Sequence, residues 1–145
     1  MDIPATLSVT QSEATQGQEE APWILNIEGD AEDLSSLIGR KGETLSSLQY
    51  LARLMVSKQI GGRANIVVDV DSYRLKRTDK MARLANRMAD QAVETGRSVK
   101  MEPMPPHERR IIHMTLRKRD DVETESTGEG KKRRVTIIPV LDKSD

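Results

Sequence analysis

Two glycines three positions apart constrain the fold of this chain more than any other local feature. Gly39 and Gly42 lie in the sequence LIGRKGETL, residues 37–45, where they bracket Arg40 and Lys41. Because glycine reaches the positive-φ conformations that end helices, we expect one short helix to end at Gly39 and a second to begin after Gly42. The segment is then either a plain connection between helices or a place where the backbone meets a phosphate.

The segments around these two helices alternate apolar and polar residues, which is the period of a half-buried strand. They are Thr6–Thr10, Trp23–Glu28 and Ile66–Asp71, with a polar hairpin loop between the first two. Asp30 is a good N-cap for the first helix. The second helix carries an apolar stripe on the side that also holds Gln59; its members are Leu45, Leu48, Ala52 and Met55, and Leu51 and Leu54 widen it. This half is therefore predicted to be β-β-α-α-β, three strands covered on one side by two helices.

The second half opens with the longest helical pattern, from Arg74 to about Thr95. A short strand at Ser98–Glu102 and a helix from His107 to about Lys118 follow. Two strands at residues 122–126 and 133–138 close the chain as a hairpin, so that the predicted order is α-β-α-β-β. Four cations form a row on the long helix, away from its apolar face: Lys76, Lys80, Arg83 and Arg87.

Composition limits the classes of function. The chain has no cysteine, so disulfides, thiolate metal sites and thiol chemistry are excluded. It has neither a membrane-length apolar run nor a signal segment, which predicts a soluble cytoplasmic protein without membrane insertion. The zero net charge hides a segregated distribution: eight acids and no Lys or Arg in residues 1–35, but 18 bases and eight acids in residues 36–119. A basic middle region favours a polyanionic partner, although a solvated helix can carry the same charge.

The glycine-bracketed turn has the composition of a phosphate site. The first amides of the following helix lack partners within that helix, and its dipole favours an anion there. The longer pattern, L-I-G-x-x-G-x-x-L-x-x-L followed by a strand, resembles the KH domain. The resemblance implies a type II-like KH domain over residues 1–73 that lacks its usual first helix. In such a domain the loop holds the backbone of about four nucleotides of single-stranded nucleic acid. The residues that it assigns to this site are Ile38, Gly39, Arg40, Lys41 and Gly42.

Arg109 and His113 stand four residues apart on one helix face, after a proline-rich start. As an isolated pair they fit a solvated helix as well as a site for phosphate or a base. The surrounding sequence, MPPHERRIIH followed by V-x-T-x-S-x-G and R-R-V-x-I-x-P, resembles the R-3-H domain, which is named for its Arg-x-x-x-His motif. This resemblance implies single-stranded nucleic-acid binding by these two residues, in a domain over residues 74–141 with a tail at 142–145.

A KH domain followed directly by an R-3-H domain is similar to the Jag family of SpoIIIJ-associated, KhpB/EloR-like bacterial proteins. The resemblance implies an α+β protein of two small domains that binds single-stranded RNA, with single-stranded DNA also open. It implies a post-transcriptional regulator linked to cell elongation and division, and a homodimer or pairing with a small KH-domain protein. Many members carry a further N-terminal domain and a charged linker, which do not fall within these 145 residues.

The sequence also allows a blander function for its basic row and a second class of function, and it gives no support to a third. The basic row on the long helix either carries RNA toward Arg109 and His113 or keeps an exposed helix face soluble. A protein-interaction module that dimerises, with little RNA binding of its own, is a second class of function. An enzyme finds no support, because His107 and His113 have no third metal ligand at suitable spacing and no catalytic triad is identifiable. Glu43 and Glu108 fit first-turn helix positions, and no cofactor or metal is expected.

Overall fold

The structure is a computed structural model that describes residues 3–13, 16–17 and 20–141. The chain divides into two compact units, Met1–Arg74 and Leu75–Asp145. Each unit combines helices with a three-stranded sheet, which confirms the predicted α+β class. The predicted tail, residues 142–145, lies outside the described residues. None of the described helices is long and apolar enough to cross a membrane.

The first unit has the predicted order β-β-α-α-β. Its elements are β1 (Thr6–Gln11), β2 (Trp23–Glu28), α1 (Ala31–Ile38), α2 (Glu43–Ile60) and β3 (Ile66–Val70). The sheet order is β1-β2-β3, with β2 antiparallel to β1 and parallel to β3. Leu34 of α1 and Leu45 of α2 pack against Val68 and Val70, which share one face of β3, so both helices cover the same side of the sheet. Asp30 is the N-cap residue of α1, as predicted, although its side chain makes no capping hydrogen bond.

Side chains close the outer edge of β3. The Val68 amide donates to Gln49 Oε1 at 3.2 Å, and Arg53 Nε donates to the Ile66 carbonyl at 3.0 Å. Arg74 donates through Nε to the Val68 carbonyl at 3.1 Å and through a terminal nitrogen to Gln49 at 2.7 Å. Unpaired strand edges are templates for association with other strands. This edge is therefore blocked, and Arg74, which starts the second half of the sequence, is anchored to the first unit.

The apolar stripe predicted on α2 divides into a packed part and an exposed part. Leu45 is buried and Ala52 half-buried, whereas Leu51, Leu54 and Met55 are 54%, 51% and 69% exposed. Gln49 and Arg53 hydrogen-bond to β3. They lie on the side of α2 opposite the three exposed residues, which therefore face away from the sheet. We call Tyr50, Leu51, Leu54 and Met55 the exposed α2 face.

The second unit has the predicted order α-β-α-β-β. Its elements are α3 (Tyr73–Thr95), β4 (Val99–Lys100), α4 (Pro106–Leu116), β5 (Val122–Thr127) and β6 (Arg134–Pro139). The sheet is antiparallel, in the order β4-β6-β5. Its core joins Ala85 and Ala89 of α3 to Ile112 of α4 and to Val135 and Ile137 of β6. Alanines on α3 leave room for close packing, so one long helix supports both α4 and the sheet.

A buried ion pair connects α3 with the first turn of α4. Glu108 is only 1% exposed, and its two carboxylate oxygens accept hydrogen bonds from Arg77 Nε at 2.8 Å and from an Arg77 terminal nitrogen at 3.2 Å. Glu108 does occupy the predicted first-turn position. The structure adds a second role, because this bidentate pair fixes the start of α4 against α3.

We predict that Glu108→Gln destabilises the second unit by roughly 3 kcal/mol, because it removes the negative charge from a buried, bidentate ion pair. Glu129→Gln, which removes the same charge from an exposed residue, should change stability by less than about 0.5 kcal/mol. Urea unfolding followed by amide hydrogen exchange in α4 and β6 provides the measurement. Equal protection in the wild type and Glu108→Gln would show that the pair contributes nothing.

Candidate nucleic-acid interface

The turn between α1 and α2 is a short 3₁₀ segment, Arg40–Gly42, in which left-handed backbone recurs. The φ angles are 71° at Gly39, 55° at Lys41 and 81° at Gly42. Only glycine adopts such angles without cost, and lysine does so uncommonly. The predicted boundaries of α1 and α2 are thus confirmed, with the two glycines at the turn between them.

Both glycines are also required by packing inside the unit. A Cβ at Gly39 would overlap Oγ1 of Thr44, and a Cβ at Gly42 would lie 2.9 Å from Cε1 of Tyr73. Gly42 is buried, and Ile38 is half-buried against the core. Three of the five residues predicted for this site are therefore at least partly committed to holding the turn in shape.

The two remaining residues, Arg40 and Lys41, are exposed at the tip of the turn. Gly42 is the N-cap of α2 and has no side chain, so no capping side chain covers the start of α2. The Glu43 amide donates to the Arg40 carbonyl within the turn. Exposed cations next to a helix N-terminus favour an anion through charge and the helix dipole. Glu43, also exposed in the first turn, is the one acid within that turn of α2.

The ring of His113 is held between two hydroxyl groups of β5. Its Nδ1 lies 2.6 Å from Thr124 Oγ1, and its Nε2 lies 2.8 Å from Ser126 Oγ. Thr124 and Ser126 are two residues apart on one strand, so both hydroxyls are on the same face of the sheet. Both ring nitrogens are thus already bonded, and a phosphate could reach one only by replacing a hydroxyl.

The environment of His113 lowers its pKa. The largest cause is burial, which penalises the charged form, followed by the nearby positive charges of Arg109 and Arg133. With a pKa below its ordinary value of 6.5, the ring is neutral at pH 7. A neutral imidazole has one donor and one acceptor, which matches one hydroxyl that accepts and one that donates. His113 therefore works as a fixed support beside the two arginines.

Arg109 and Arg133 keep their positive charges uncompensated. Neither has a carboxylate partner within the described part of the chain; a terminal nitrogen of Arg133 donates to the Gly128 carbonyl at 2.8 Å. The Nε of Arg109 is buried and has no hydrogen-bond partner among those residues. We call Arg109, His113, Thr124, Ser126 and Arg133 the Arg109–His113 cluster. Two guanidinium groups beside a fixed, neutral histidine can bind a phosphate or another oxyanion.

The basic row of α3 is solvent-exposed at all four positions, namely Lys76, Lys80, Arg83 and Arg87. A path for nucleic acid and a helix face that only keeps the protein soluble both require these side chains to be exposed. A role in carrying nucleic acid therefore stays a prediction.

The cluster includes three residues to which the sequence analysis gave no role: Thr124, Ser126 and Arg133. The signal for the first two was the T-x-S alternation of a strand that follows the helix, since alternate residues share a face. Tyr73, which packs on Gly42, gave no sequence signal, because the two residues are far apart in the chain. Within the described residues, no group of three or more His, Cys, Asp or Glu side chains could hold a metal ion.

Comparison with known proteins assigns each half of the chain to a family. The KH domain of the KhpA/KhpB family matches residues 1–70, and the R-3-H domain matches residues 79–139. The RNA-binding protein KhpB of Bacillus subtilis strain 168 is 41% identical over 129 residues, which cover 88% of this chain and 61% of that protein. The protein of the same name from Clostridium symbiosum is 39% identical over 137 residues, or 94% of this chain and 59% of that protein. The RNA-binding protein KhpB of Streptococcus pneumoniae serotype 2 is 28% identical over 137 residues, which cover 94% of this chain and 39% of that protein.

The chain thus spans about three fifths of the length of its Bacillus and Clostridium relatives. Neither matched domain family is a family of enzymes. The two domains follow each other in the order that the glycine turn and the Arg-x-x-x-His helix indicated. With a KhpA/KhpB-type KH domain followed by an R-3-H domain, the chain belongs to the KhpB, or Jag, family.

Proposed function

We propose that this protein binds single-stranded RNA through two separate surfaces, the turn between α1 and α2 and the Arg109–His113 cluster. The observation that carries the proposal is the turn itself. Its backbone is fixed from inside by glycine packing, while Arg40 and Lys41 remain exposed beside the first amides of α2. The relatives named RNA-binding protein KhpB support RNA as the ligand.

The turn recognises the strand by its phosphates. Backbone amides and two cations bind phosphate oxygens whatever the base, so these contacts position the RNA without reading its sequence. The same contacts accept single-stranded DNA, since only the 2′-hydroxyl distinguishes the two backbones. Preference for RNA must therefore come from contacts outside the turn.

The Arg109–His113 cluster holds a second phosphate. Arg109 and Arg133 supply the charge. His113 lies beside them, and its hydrogen bonds to Thr124 and Ser126 fix α4 against β5. An incoming phosphate offers acceptors to the guanidinium of Arg109, which has no carboxylate partner among the described residues. The basic row on α3 adds a non-specific attraction that depends on salt.

In the cell we place this protein among cytoplasmic post-transcriptional regulators in bacteria that are linked to cell elongation and division. The support is its membership of the KhpB family, together with the resemblance described above.

A second candidate function is protein pairing through the exposed α2 face. Four large apolar side chains on one helix face are unusual for a surface that only meets water. The partner would be a second copy of this chain or a small KhpA-type KH protein, and pairing is compatible with RNA binding at the turn. The matched KH family includes KhpA as well as KhpB, which favours a related partner.

For the turn, we predict that the double variant Arg40→Asp with Lys41→Asp weakens binding of a single-stranded RNA by about tenfold or more at low salt. Aspartate tolerates the left-handed backbone at position 41, so the fold should persist. Each lost phosphate contact should lower the slope of log affinity against log salt by about 0.7. Fluorescence anisotropy over a salt series is the measurement. The control is Lys58→Asp with Arg63→Asp, an equal charge change at exposed positions of the same unit. The proposal is contradicted if the turn variant keeps its affinity for RNA, or if the control loses as much affinity as the turn variant.

For the cluster, we predict that Arg109→Ala lowers RNA affinity by about tenfold, the effect of losing a charged hydrogen bond. Arg110→Ala removes the same charge from the neighbouring exposed residue and should have little effect. Because the two surfaces would bind different parts of the strand, the Arg109 effect should add to that of the turn variant. Anisotropy with a 20-nucleotide RNA, on variants shown to be folded by circular dichroism, decides this. Equal effects of the Arg109 and Arg110 changes would rule out a specific role for the cluster.

For pairing, we predict that Leu51→Glu with Leu54→Glu abolishes self-association or binding to a KhpA-type protein, because two charges would be buried at the interface. Gln59→Glu, an exposed polar residue of the same helix, should leave it intact. Sedimentation velocity over a range of concentrations measures both. A wild-type chain that stays monomeric alone and with a KhpA-type protein would rule out this function, whereas pairing without any RNA binding would make it the main one.

A further inference from the structure

A groove of about 460 Å³ lies beside the Arg109–His113 cluster, between the C-terminal half of α4 and the start of β5. It is lined by His113, Met114, Leu116, Arg117, Arg119, Val122, Glu123 and Thr124. His113 and Thr124 belong to the cluster as well, so the groove and the cluster are continuous. Its volume falls within the usual range for small-molecule sites.

One wall of the groove is the Arg119 guanidinium group, which two carboxylates hold in place. Arg119 forms a bidentate pair with Asp121, with Nε to Oδ1 at 2.9 Å and a terminal nitrogen to Oδ2 at 2.8 Å. Its other terminal nitrogen donates to Asp90 Oδ1 at 2.8 Å. Two carboxylates compensate the charge and hold the edges of the guanidinium, so the part left for a ligand is its flat face. Bases in single-stranded RNA stack on such faces.

The floor of the groove is apolar. Leu116 and Val122 are buried, and Met114 is 56% exposed at the rim. Residues 75–145 contain no Phe, Trp or Tyr, so any base stacking in this unit has to use arginine, histidine or methionine. His113 is suited to this, because both of its ring nitrogens are fixed by Thr124 and Ser126.

Two exposed charged residues, Arg117 and Glu123, set the orientation of a nucleotide in the groove. Arg117 has no polar side-chain partner in the part of the chain that the structure describes, so its charge is available to a phosphate. Glu123 lines the same groove and repels phosphate, but it accepts hydrogen bonds from an exocyclic amino group of a base. A nucleotide with its base in the groove fits both charges.

We propose that the groove between α4 and β5 binds one nucleobase of the RNA strand whose phosphate contacts the Arg109–His113 cluster. The base stacks on the face of Arg119 above the apolar floor, with its amino edge toward Glu123 and the next phosphate toward Arg117. This rests on the proposed RNA binding. It adds the first contact in the protein that distinguishes one base from another, since cytosine carries an exocyclic amino group and uracil does not.

The test uses the full chain and two small probes, the uncharged nucleoside cytidine and the base-free ribose 5-phosphate. In NMR titrations, cytidine at millimolar concentration should shift the Met114 methyl and the Val122 and Glu123 amides in a saturable way. Ribose 5-phosphate should shift the Arg109–His113 cluster and leave those three signals in place. No cytidine shift in the groove, or identical shifts with ribose 5-phosphate, would overturn the proposal.

Matched variants test whether a change in cytidine binding comes from the groove itself or from a disturbed fold. Met114→Asp puts a charge at the rim and should abolish the cytidine shifts, whereas Val93→Asp, an exposed apolar residue of α3 in the same unit, should preserve them. Glu123→Ala should remove an about threefold preference for cytidine over uridine, and Glu125→Ala, an exposed acid of the same strand, should retain it. If Met114→Asp and Val93→Asp behave alike, or if Glu123→Ala and Glu125→Ala behave alike, the groove is not the base-binding site.

The same titrations distinguish failure of the groove from failure of RNA binding. RNA that binds the wild-type chain without moving the groove signals overturns the groove alone. Cytidine that binds the groove in a chain with no affinity for single-stranded RNA overturns the proposed function, and it leaves the groove as a nucleoside site.

Discussion

The contact between Gly42 and the ring of Tyr73 is the constraint on which the first unit's surface depends. Gly42 is buried and left-handed, and a side chain there would collide with the ring. Gly39 is closed in the same way by Thr44. The turn is therefore held from inside, by α2 on one side and by the first residue of α3 on the other. Rigidity of this kind matters for a phosphate site, because its backbone needs no reordering when a ligand binds.

The arginines of the second unit differ in whether a carboxylate compensates their charge. Arg77 and Arg119 are bonded to carboxylates, and both are structural: one fixes α4 to α3, the other fixes the segment that leads into β5. Arg109 and Arg133 have no carboxylate among the described residues and surround a neutral histidine. A basic composition alone would treat these four residues as equivalent. Their partners divide them into two that hold the fold and two whose charge is available to an anion.

Much of the fold could be predicted, because hydrophobic periodicity records which face of each element is buried. Val68 and Val70 alternate on β3, and Ile112 lies on the buried face of α4. The same pattern misled at the exposed α2 face, where Leu51 and Leu54 have helical spacing but lie on the side of α2 turned away from the sheet. Periodicity reports that a face is apolar; it does not report whether anything packs against it. Asp30 is a similar case, because a good capping residue type does not ensure a capping bond.

By itself, the sequence determined the order of the elements, the position of the glycine turn and the spacing of Arg109 and His113. These depend on residues close together in the chain, whose conformational preferences act locally. The tertiary structure decided which charges are compensated, why Gly42 cannot carry a side chain, and that the His113 ring is bonded to Thr124 and Ser126. Such pairs join residues on different elements, and their burial and distance exist only once the chain has folded.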